Sequence, residues 1–470
     1  MRYFLVLAAA FLAGTLQANI PTSSIEEFIG TEWPASGAPG MAYAVVDGDN
    51  VHADARGATL AGGEVAITPD TRFLIGSVTK SFTAIAIMQL VEEGRLDLDA
   101  QLHEYIDEFK GQPAEAITLR QLLNHTSGLS TVQGNARHAQ STPGEDDLAD
   151  HVARIGQWEL AHEPGTVWEY SNANYHVLGR IIEIASDEDY ITYVETRILA
   201  PLGMENSSFS QSSSGADTAI GHRPWLLGNR PFRDTSGDRV GVPAGGLFSS
   251  VNDMSIYLAM MMNGKDDIIT AESKAQMLQP ANAASPFYGL GWFLDVEQGS
   301  ASHGGLVPGT QSLATLLPSE RKGAIVLVNA NGGIGFNENI ELRNGISARA
   351  LGLEYTGEVT PIGPRSAYLL VMLLPLFFVA SIGWAWWKRE AIRAKSGLGG
   401  MFSKWFPVLA MAGLAGMLIW IIPAMFGGSI DTLLLFQPDF GQAMVASAIL
   451  GQAWAVFRLA VAYTGKPKAG

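Results

Sequence analysis

Two patterns of apolar and polar residues divide the chain. Up to about residue 360, short apolar segments alternate with polar ones, as in ordinary globular proteins. Beyond it, residues 368–387, 406–426 and 441–463 form three long apolar runs. Each run approaches the ~20 residues that a helix needs to cross a bilayer. The pattern predicts a globular domain at residues 19–360 and a membrane domain with three spans at residues 361–470.

Residues 1–18 combine a short basic start, an apolar stretch and a terminal Ala18. This arrangement is typical of a secretory signal peptide, and we place the cleavage after Ala18. The alternative is an uncleaved anchor helix, for which the apolar stretch is short.

Basic residues set the expected orientation of the spans. Five lie between the first and second runs, whereas the next connection carries Asp431 and Asp439 and no basic residue. Since Lys and Arg stay in the cytoplasm, the globular domain should face outward. We therefore expect a membrane protein whose globular domain lies in the extracytoplasmic space.

Within the globular part, residues 41–46 and 51–56 predict a hairpin around a polar turn, and residues 81–93 predict an amphipathic helix. Further helical patterns cover 23–29, 147–155, 175–185, 253–262 and 337–351, and late strand patterns cover 288–296, 311–317 and 323–328. Early strands, a helical middle and late strands indicate an α+β fold: an antiparallel sheet flanked by helices, with a helical subdomain.

Composition narrows the possible functions. The formal net charge of −16 and the lack of a basic stripe argue against a nucleic-acid partner. The chain has 0 cysteines, which excludes disulfides, a cysteine nucleophile and cysteine-based metal sites.

Ser77 and Lys80 form a Ser-x-x-Lys sequence at the start of the predicted helix 81–93. Residues three apart on a helix share a face, so the amine can reach the hydroxyl. A buried lysine has a lowered pKa and can act as the base that a serine nucleophile needs. Taken alone, the pair also fits a helix-capping serine followed by a surface lysine.

Other segments complete the pattern: Leu122 to Leu129, Tyr170-Ser171-Asn172, Gly245-Gly246 and His303-Gly304-Gly305. In this order they resemble the serine β-lactamase and penicillin-binding-protein superfamily, closest to its class C β-lactamase, D-aminopeptidase and esterase branch. The resemblance implies a β-lactamase/transpeptidase-like fold.

The resemblance also implies roles. Ser77 would be acylated, while Lys80 and Tyr170 share its proton, with Tyr170 as a phenol of low pKa. Asn172 would orient Lys80 and bind the substrate amide. The backbone N–H groups of Ser77 and Leu306 would form the oxyanion hole. No metal or organic cofactor is expected.

His303, Gly304 and Gly305 stand where β-lactamases of this superfamily usually carry Lys-Thr-Gly, which binds a substrate carboxylate. This departure speaks against strong β-lactamase activity and suits peptidase and esterase members. His303 could contact substrate or only support its strand. His125 is expected to be structural, because Lys80 already supplies the base.

The layout of an exported domain followed by three spans resembles periplasmic peptidases of the colibactin-maturation type. It implies a peptidase or amidase for D-amino-acid-containing or acyl-D-amino-acid substrates, located in the bacterial inner membrane with its catalytic domain in the periplasm or extracytoplasmic space. The alternatives are an esterase, a weak β-lactamase or a D,D-carboxypeptidase. A non-catalytic wall-binding or sensor module is a further possibility, and the oligomeric state stays open.

Overall fold

The computed structural model describes residues 20–464 except 141–146, 211–217, 227, 234–238, 335–338, 356 and 358–361. The predicted signal peptide, residues 1–18, lies outside this part. The strands are β1 Gly40–Asp47, β2 Asn50–Gly57, β3 Phe73–Leu74, β4 Gly221–Trp225, β5 Gly228–Phe232, β6 Phe248–Ser249, β7 Phe293–Asp295, β8 Ser300–Val307, β9 Thr310–Leu317 and β10 Lys322–Val328.

Helices account for most of the remaining described residues. They are α1 Thr22–Ser36, α2 Thr79–Glu92, α3 Leu119–Leu123, α4 Thr131–Gln140, α5 Leu148–Gly156, α6 Asn172–Ser186, α7 Tyr190–Val194, α8 Ala200–Leu202, α9 Val242–Gly245, α10 Val251–Met262, α11 Ala271–Met277, α12 Asn339–Leu351, α13 Ile362–Trp387, α14 Arg389–Arg393, α15 Gly397–Gly416, α16 Ile422–Met425, α17 Ile430–Phe436 and α18 Pro438–Tyr463.

The main sheet is antiparallel and has the strand order β2-β1-β10-β9-β8-β7. Two neighbouring inner strands, β1 and β10, come from opposite ends of the globular part: Met41 pairs with Val328 and Asp47 with Lys322. The helices α2 to α11 lie between these contributions in the sequence. This architecture confirms the predicted α+β fold, with early and late strands in one sheet.

The strand β1 is apolar throughout because both of its faces are covered. Alternate side chains point to opposite faces of a strand. Ala42, Ala44 and Val46 enter the core shared with α2 and α10, whereas Tyr43 and Val45 enter a second core with α1 and α12. An uninterrupted apolar run is the pattern expected for a strand buried on two sides.

Two sequence expectations differ from the structure. The helix α2 is buried on nearly every side rather than amphipathic, because α6, α7 and α9 pack against it and Phe82 stacks on Tyr257 of α10. The predicted strand at residues 288–296 contracts to β7, since Gly289 and Gly291 occupy a tight turn packed against Met277 and α2.

Three C-terminal helical segments are long and apolar enough to cross a membrane: Gly363–Trp387, Gly397–Met425 and Pro438–Tyr463. They match the three predicted runs, but the second begins nine residues earlier than residue 406. Ser403 and Lys404 interrupt the apolar pattern there, while the backbone continues as helix. The third segment packs against both others.

Candidate active site

Ser77 lies in a single 3₁₀ turn, Gly76–Val78, that leads directly into α2. Gly76 has a φ of 55°, a left-handed conformation that favours glycine. Lys80 follows on the first turn of α2, and its Nζ lies 3.1 Å from Ser77 Oγ. The structure therefore brings the predicted pair within hydrogen-bond distance, on the same face of the helix entry.

The Lys80 side chain is completely buried, and burial holds its pKa well below the ordinary value for lysine. Its Nζ donates to Asn172 Oδ1 and to the Ala244 carbonyl oxygen, both at 2.7 Å. A neutral amine has two N–H donors and one lone pair. The two carbonyl-type acceptors use both donors, which leaves the lone pair for the Ser77 hydroxyl proton.

Tyr170 also forms a side-chain hydrogen bond with Ser77, so the phenol, the amine and the hydroxyl meet in one place. Burial raises the pKa of Tyr170 above its ordinary value. The direction is opposite to the low-pKa phenol implied by the family resemblance. The buried site thus disfavours the phenolate form of Tyr170.

Asn172 is the first residue of α6, and its side chain reaches across to α2. His125 fixes the segment before it. His125 Nδ1 lies 3.2 Å from the Ser171 backbone nitrogen and 2.9 Å from Asn174 Nδ2, and both of these groups are donors. The His125 ring also packs 4.3 Å from the Tyr170 ring, between centroids. His125 thus packs on Tyr170 and anchors the backbone that leads into Asn172.

His303, Gly304 and Gly305 lie inside the strand β8. Gly305 is packed so closely that a Cβ there would lie 2.0 Å from the Ile75 carbonyl oxygen and 2.2 Å from Ser312 Oγ. This close approach places the Leu306 backbone nitrogen beside Gly76, since a Cβ built on Gly76 would lie 3.1 Å from it. Leu306 and Ser77 can therefore present backbone N–H groups to the same oxygen.

Both ring nitrogens of His303 have protein partners. Nε2 lies 3.1 Å from the Tyr288 hydroxyl oxygen, and Nδ1 lies 2.9 Å from the Gly304 carbonyl oxygen. Burial, reinforced by the nearby Lys80, lowers the pKa of His303 to about 3. His303 is neutral at physiological pH and cannot replace the cationic lysine of the Lys-Thr-Gly pattern. Its contacts favour the strand-supporting role, although the ring also borders the cavity described below.

A pH profile tests this assignment. Because His303 stays neutral down to pH about 3, it should add no step to the rate between about pH 5 and 8. The labelling rate of Ser77 by a fluorophosphonate should fall only as the pH drops through the lowered pKa of Lys80, where the base becomes protonated. We expect wild type and His303→Gln to give profiles of the same shape. A step lost in His303→Gln would contradict the neutral assignment.

Two cavities flank Ser77. The smaller, of ≈ 120 Å³, is bordered by Gly241, Leu306 and Val307, which offer no charged group. The larger, of ≈ 600 Å³, lies on the side of Tyr170 and His303. Neither cavity has a Lys, Arg, Asp or Glu among the described residues that line it.

The larger cavity has a wall that the sequence analysis missed. It consists of residues from the connection between the second and third apolar helices: Phe426, Thr432, Leu433, Phe436 and Gln437. Asn135 borders the same space and was also missed. No local motif signals these residues, because Phe426 and Ser77 are separated by more than 300 positions of sequence.

Metal ions are commonly bound by groups of His, Asp and Glu side chains. Within the described part of the chain, no three His, Asp or Glu residues lie close enough together to hold a metal ion.

Comparisons with known proteins agree with this architecture. A family model described as Beta-lactamase matches residues 25–344. "Protein flp" of Staphylococcus aureus (strain MRSA252) is 30% identical over 278 residues, which are 57% of this chain and 54% of that protein. The chain thus spans about half the length of the curated relatives it matches first.

Solved structures show the same fold. The octameric penicillin-binding protein homologue from Pyrococcus abyssi is 28% identical, with a TM-score of 0.62 over 71% of this chain and 78% of that one. D-alanine carboxypeptidase AmpC from Burkholderia cenocepacia is 22% identical, with a TM-score of 0.59 over 70% of this chain and 98% of that one. Because the family model covers most of the globular part, the chain belongs to the Beta-lactamase family, a family of serine hydrolases with the fold of class C β-lactamases and penicillin-binding proteins.

Proposed function

We propose that the protein is a membrane-anchored, periplasm-facing serine hydrolase that forms an acyl-enzyme on Ser77. The observation that carries this proposal is the short contact between Ser77 Oγ and Lys80 Nζ, 3.1 Å, in a site where burial lowers the pKa of the amine and so favours its neutral form. An exposed lysine of ordinary pKa would be protonated at neutral pH and could not accept the proton.

The proposed reaction begins when Ser77 Oγ attacks the substrate carbonyl and its proton passes to Lys80 Nζ. The carbonyl oxygen becomes an oxyanion, stabilised by the backbone N–H groups of Ser77 and Leu306. One such donor contributes about 3–4 kcal/mol to transition-state stabilisation. The leaving group then takes a proton from the Lys80 ammonium, with the Tyr170 hydroxyl beside it, and water later releases the acyl group.

The lining of the cavities favours an uncharged substrate. β-Lactams and the C-terminus of D,D-carboxypeptidase substrates carry a carboxylate, and such sites need a cation to bind it. None of the described lining residues is cationic, and His303 is neutral. The larger cavity is bordered by apolar side chains including Trp168, Phe293 and Phe436. We therefore favour a peptidase or amidase acting inside an acyl-D-amino-acid compound over a β-lactamase.

An esterase is the second candidate, because the same acyl-enzyme chemistry cleaves esters and nothing in the lining selects for an amide leaving group. The D-amino-acid preference rests on relatives such as the D-alanine carboxypeptidase. The three apolar helices and the basic connection between the first two support the proposed inner-membrane location.

The proposal can be tested by labelling the full chain with a fluorophosphonate in detergent. Peptide mapping by mass spectrometry should place the adduct on Ser77 and not on the neighbouring buried Ser81. A panel of acyl-D-amino-acid amides, their L-isomers, short esters and nitrocefin should then show faster turnover of the D-amides than of nitrocefin. Absence of any adduct on Ser77 would refute the enzymatic proposal.

A further inference from the structure

A continuous series of hydrogen bonds joins the candidate base to the membrane domain. Lys80 Nζ donates to Asn172 Oδ1 at 2.7 Å. Asn172 Nδ2 donates to Asn135 Oδ1 at 2.8 Å. Asn135 Nδ2 in turn donates to the Gly427 carbonyl oxygen at 2.7 Å. Gly427 follows the end of the second apolar helix, so three bonds separate the base from the membrane domain.

The direction of these bonds is set at both ends. The Lys80 amine donates at one end, and the Gly427 carbonyl can only accept at the other. Each intervening amide has one acceptor oxygen and one donor nitrogen. Only one orientation of Asn172 and of Asn135 satisfies all three contacts. A flip of either amide would place like groups against each other, so the contacts constrain both side chains.

The Gly427 carbonyl is itself held firmly by the end of its helix. Gly427 has a φ of 70°, the left-handed conformation that terminates helices. Its N–H donates to the Ala424 carbonyl oxygen at 2.9 Å, and the Gly428 N–H donates to the Pro423 carbonyl oxygen at 3.1 Å. These bonds fix where the carbonyl points. Its position follows the position of the apolar helix that it ends.

The segment after Gly427 is also fastened to the globular domain beside the larger cavity. The Ile334 N–H donates to Gln437 Oε1 at 2.9 Å, and Arg223 donates to the Leu435 carbonyl oxygen at 2.6 Å. Next to these attachments, Leu433 and Phe436 border the cavity that reaches Ser77. The connection 426–437 is thus built into the candidate active site.

We propose that Asn135 is a positioning residue through which the connection 426–437 of the membrane domain holds Asn172 and Lys80 in the geometry that activates Ser77. The proposal rests on the proposed serine hydrolase function. It adds that the globular domain alone does not reach the full reaction rate. The rate of attack by Ser77 depends on how the connection 426–437 of the membrane domain is positioned against the globular domain. Asn135 acts through Asn172 and need not touch the reacting atoms.

Two variants break the series at different bonds. Asn135→Ala removes both of its contacts. Gly427→Ala disturbs the last one, because alanine is strained at a φ of 70° and its Cβ would lie 2.9 Å from Thr131 Cγ2. Each change has a matched control elsewhere. Asn229 donates to the Gly37 carbonyl oxygen at 2.8 Å, and Gly397 also has a φ of 70° but open space around its Cβ position.

The experiment measures fluorophosphonate labelling of the full chain in detergent, separating the maximal rate constant from the half-saturating concentration. Asn135→Ala and Gly427→Ala should each lower the rate constant about ten-fold, the effect of one lost hydrogen bond, with half-saturation changed by less than about two-fold. The double variant should be no slower than the slower single variant, because both changes break one series. Asn229→Ala and Gly397→Ala should label at the wild-type rate.

Three outcomes would overturn the proposal. The first is a wild-type rate constant in Asn135→Ala, and the second is a rate constant in the double variant that falls by the product of the two single effects. The third is a change confined to the half-saturating concentration, which would make Asn135 a substrate contact only. Thermal unfolding identifies a variant that fails to fold, and if Gly427→Ala does, Asn135→Ala alone decides. These results differ from a failure of the proposed function, in which the wild type itself is not labelled on Ser77.

Discussion

Replacing Lys80 with methionine is expected to slow fluorophosphonate labelling of Ser77 by at least about 10³-fold, within the range that a general base contributes. Methionine has a similar length and fills the space of the side chain, but it has no lone pair on nitrogen to accept the Ser77 proton. Tyr170 cannot substitute, because burial raises its pKa. The second-order labelling rate constant is the measurement, with Ser77→Ala as the blank.

Lys274→Met is the matched control. Lys274 is the other buried lysine of the globular domain among the described residues, and it contacts Asp267 and Asn263 far from Ser77 in the sequence. Removing it should lower the melting temperature, since it leaves Asp267 without its cation. Labelling should continue at the wild-type rate. If Lys80→Met retained labelling within about ten-fold of wild type, Lys80 would not be the base.

Replacing Gly305 with alanine should cost about 3 kcal/mol or more of stability, the upper part of the range for overpacking a dense core. The new Cβ would lie 2.0 Å from the Ile75 carbonyl oxygen, and backbone cannot move aside as a flexible side chain can. If the backbone shifts to relieve this clash, β8 moves away from the turn that carries Ser77. The Leu306 N–H would then leave the oxyanion position, so labelling should fall together with stability.

The adjacent Gly304 supplies the comparison. A Cβ on Gly304 would lie 3.1 Å from a terminal guanidinium nitrogen of Arg343, the far end of a long side chain that also donates to the Ser312 carbonyl oxygen. Gly304→Ala should therefore shift the melting temperature by much less than Gly305→Ala. Thermal unfolding of both variants in the same detergent tests this. Equal melting temperatures would show that β8 does not pack against Ile75 as tightly as described.

Regular, local patterns allowed most of the fold to be predicted. The hairpin at residues 41–56, the helix after Ser77 and the three apolar helices each depend on side chains close together in sequence. The errors have the same explanation. The pattern could not show that α2 would be surrounded, or that Gly289 and Gly291 would shorten β7, because packing from distant segments decides both.

For the site, the sequence by itself predicted that Ser77 and Lys80 share a face, since residues three positions apart on a helix lie close together. Only the tertiary structure shows that burial lowers the pKa of Lys80 and raises that of Tyr170, because the residues that bury them lie far away in the chain. The tertiary structure also decided that Asn135 and Gly427, almost 300 positions apart in sequence, are hydrogen-bonded to each other. Through Asn172 they are connected to Lys80. Such contacts arise when separate elements pack, and no local sequence pattern encodes them.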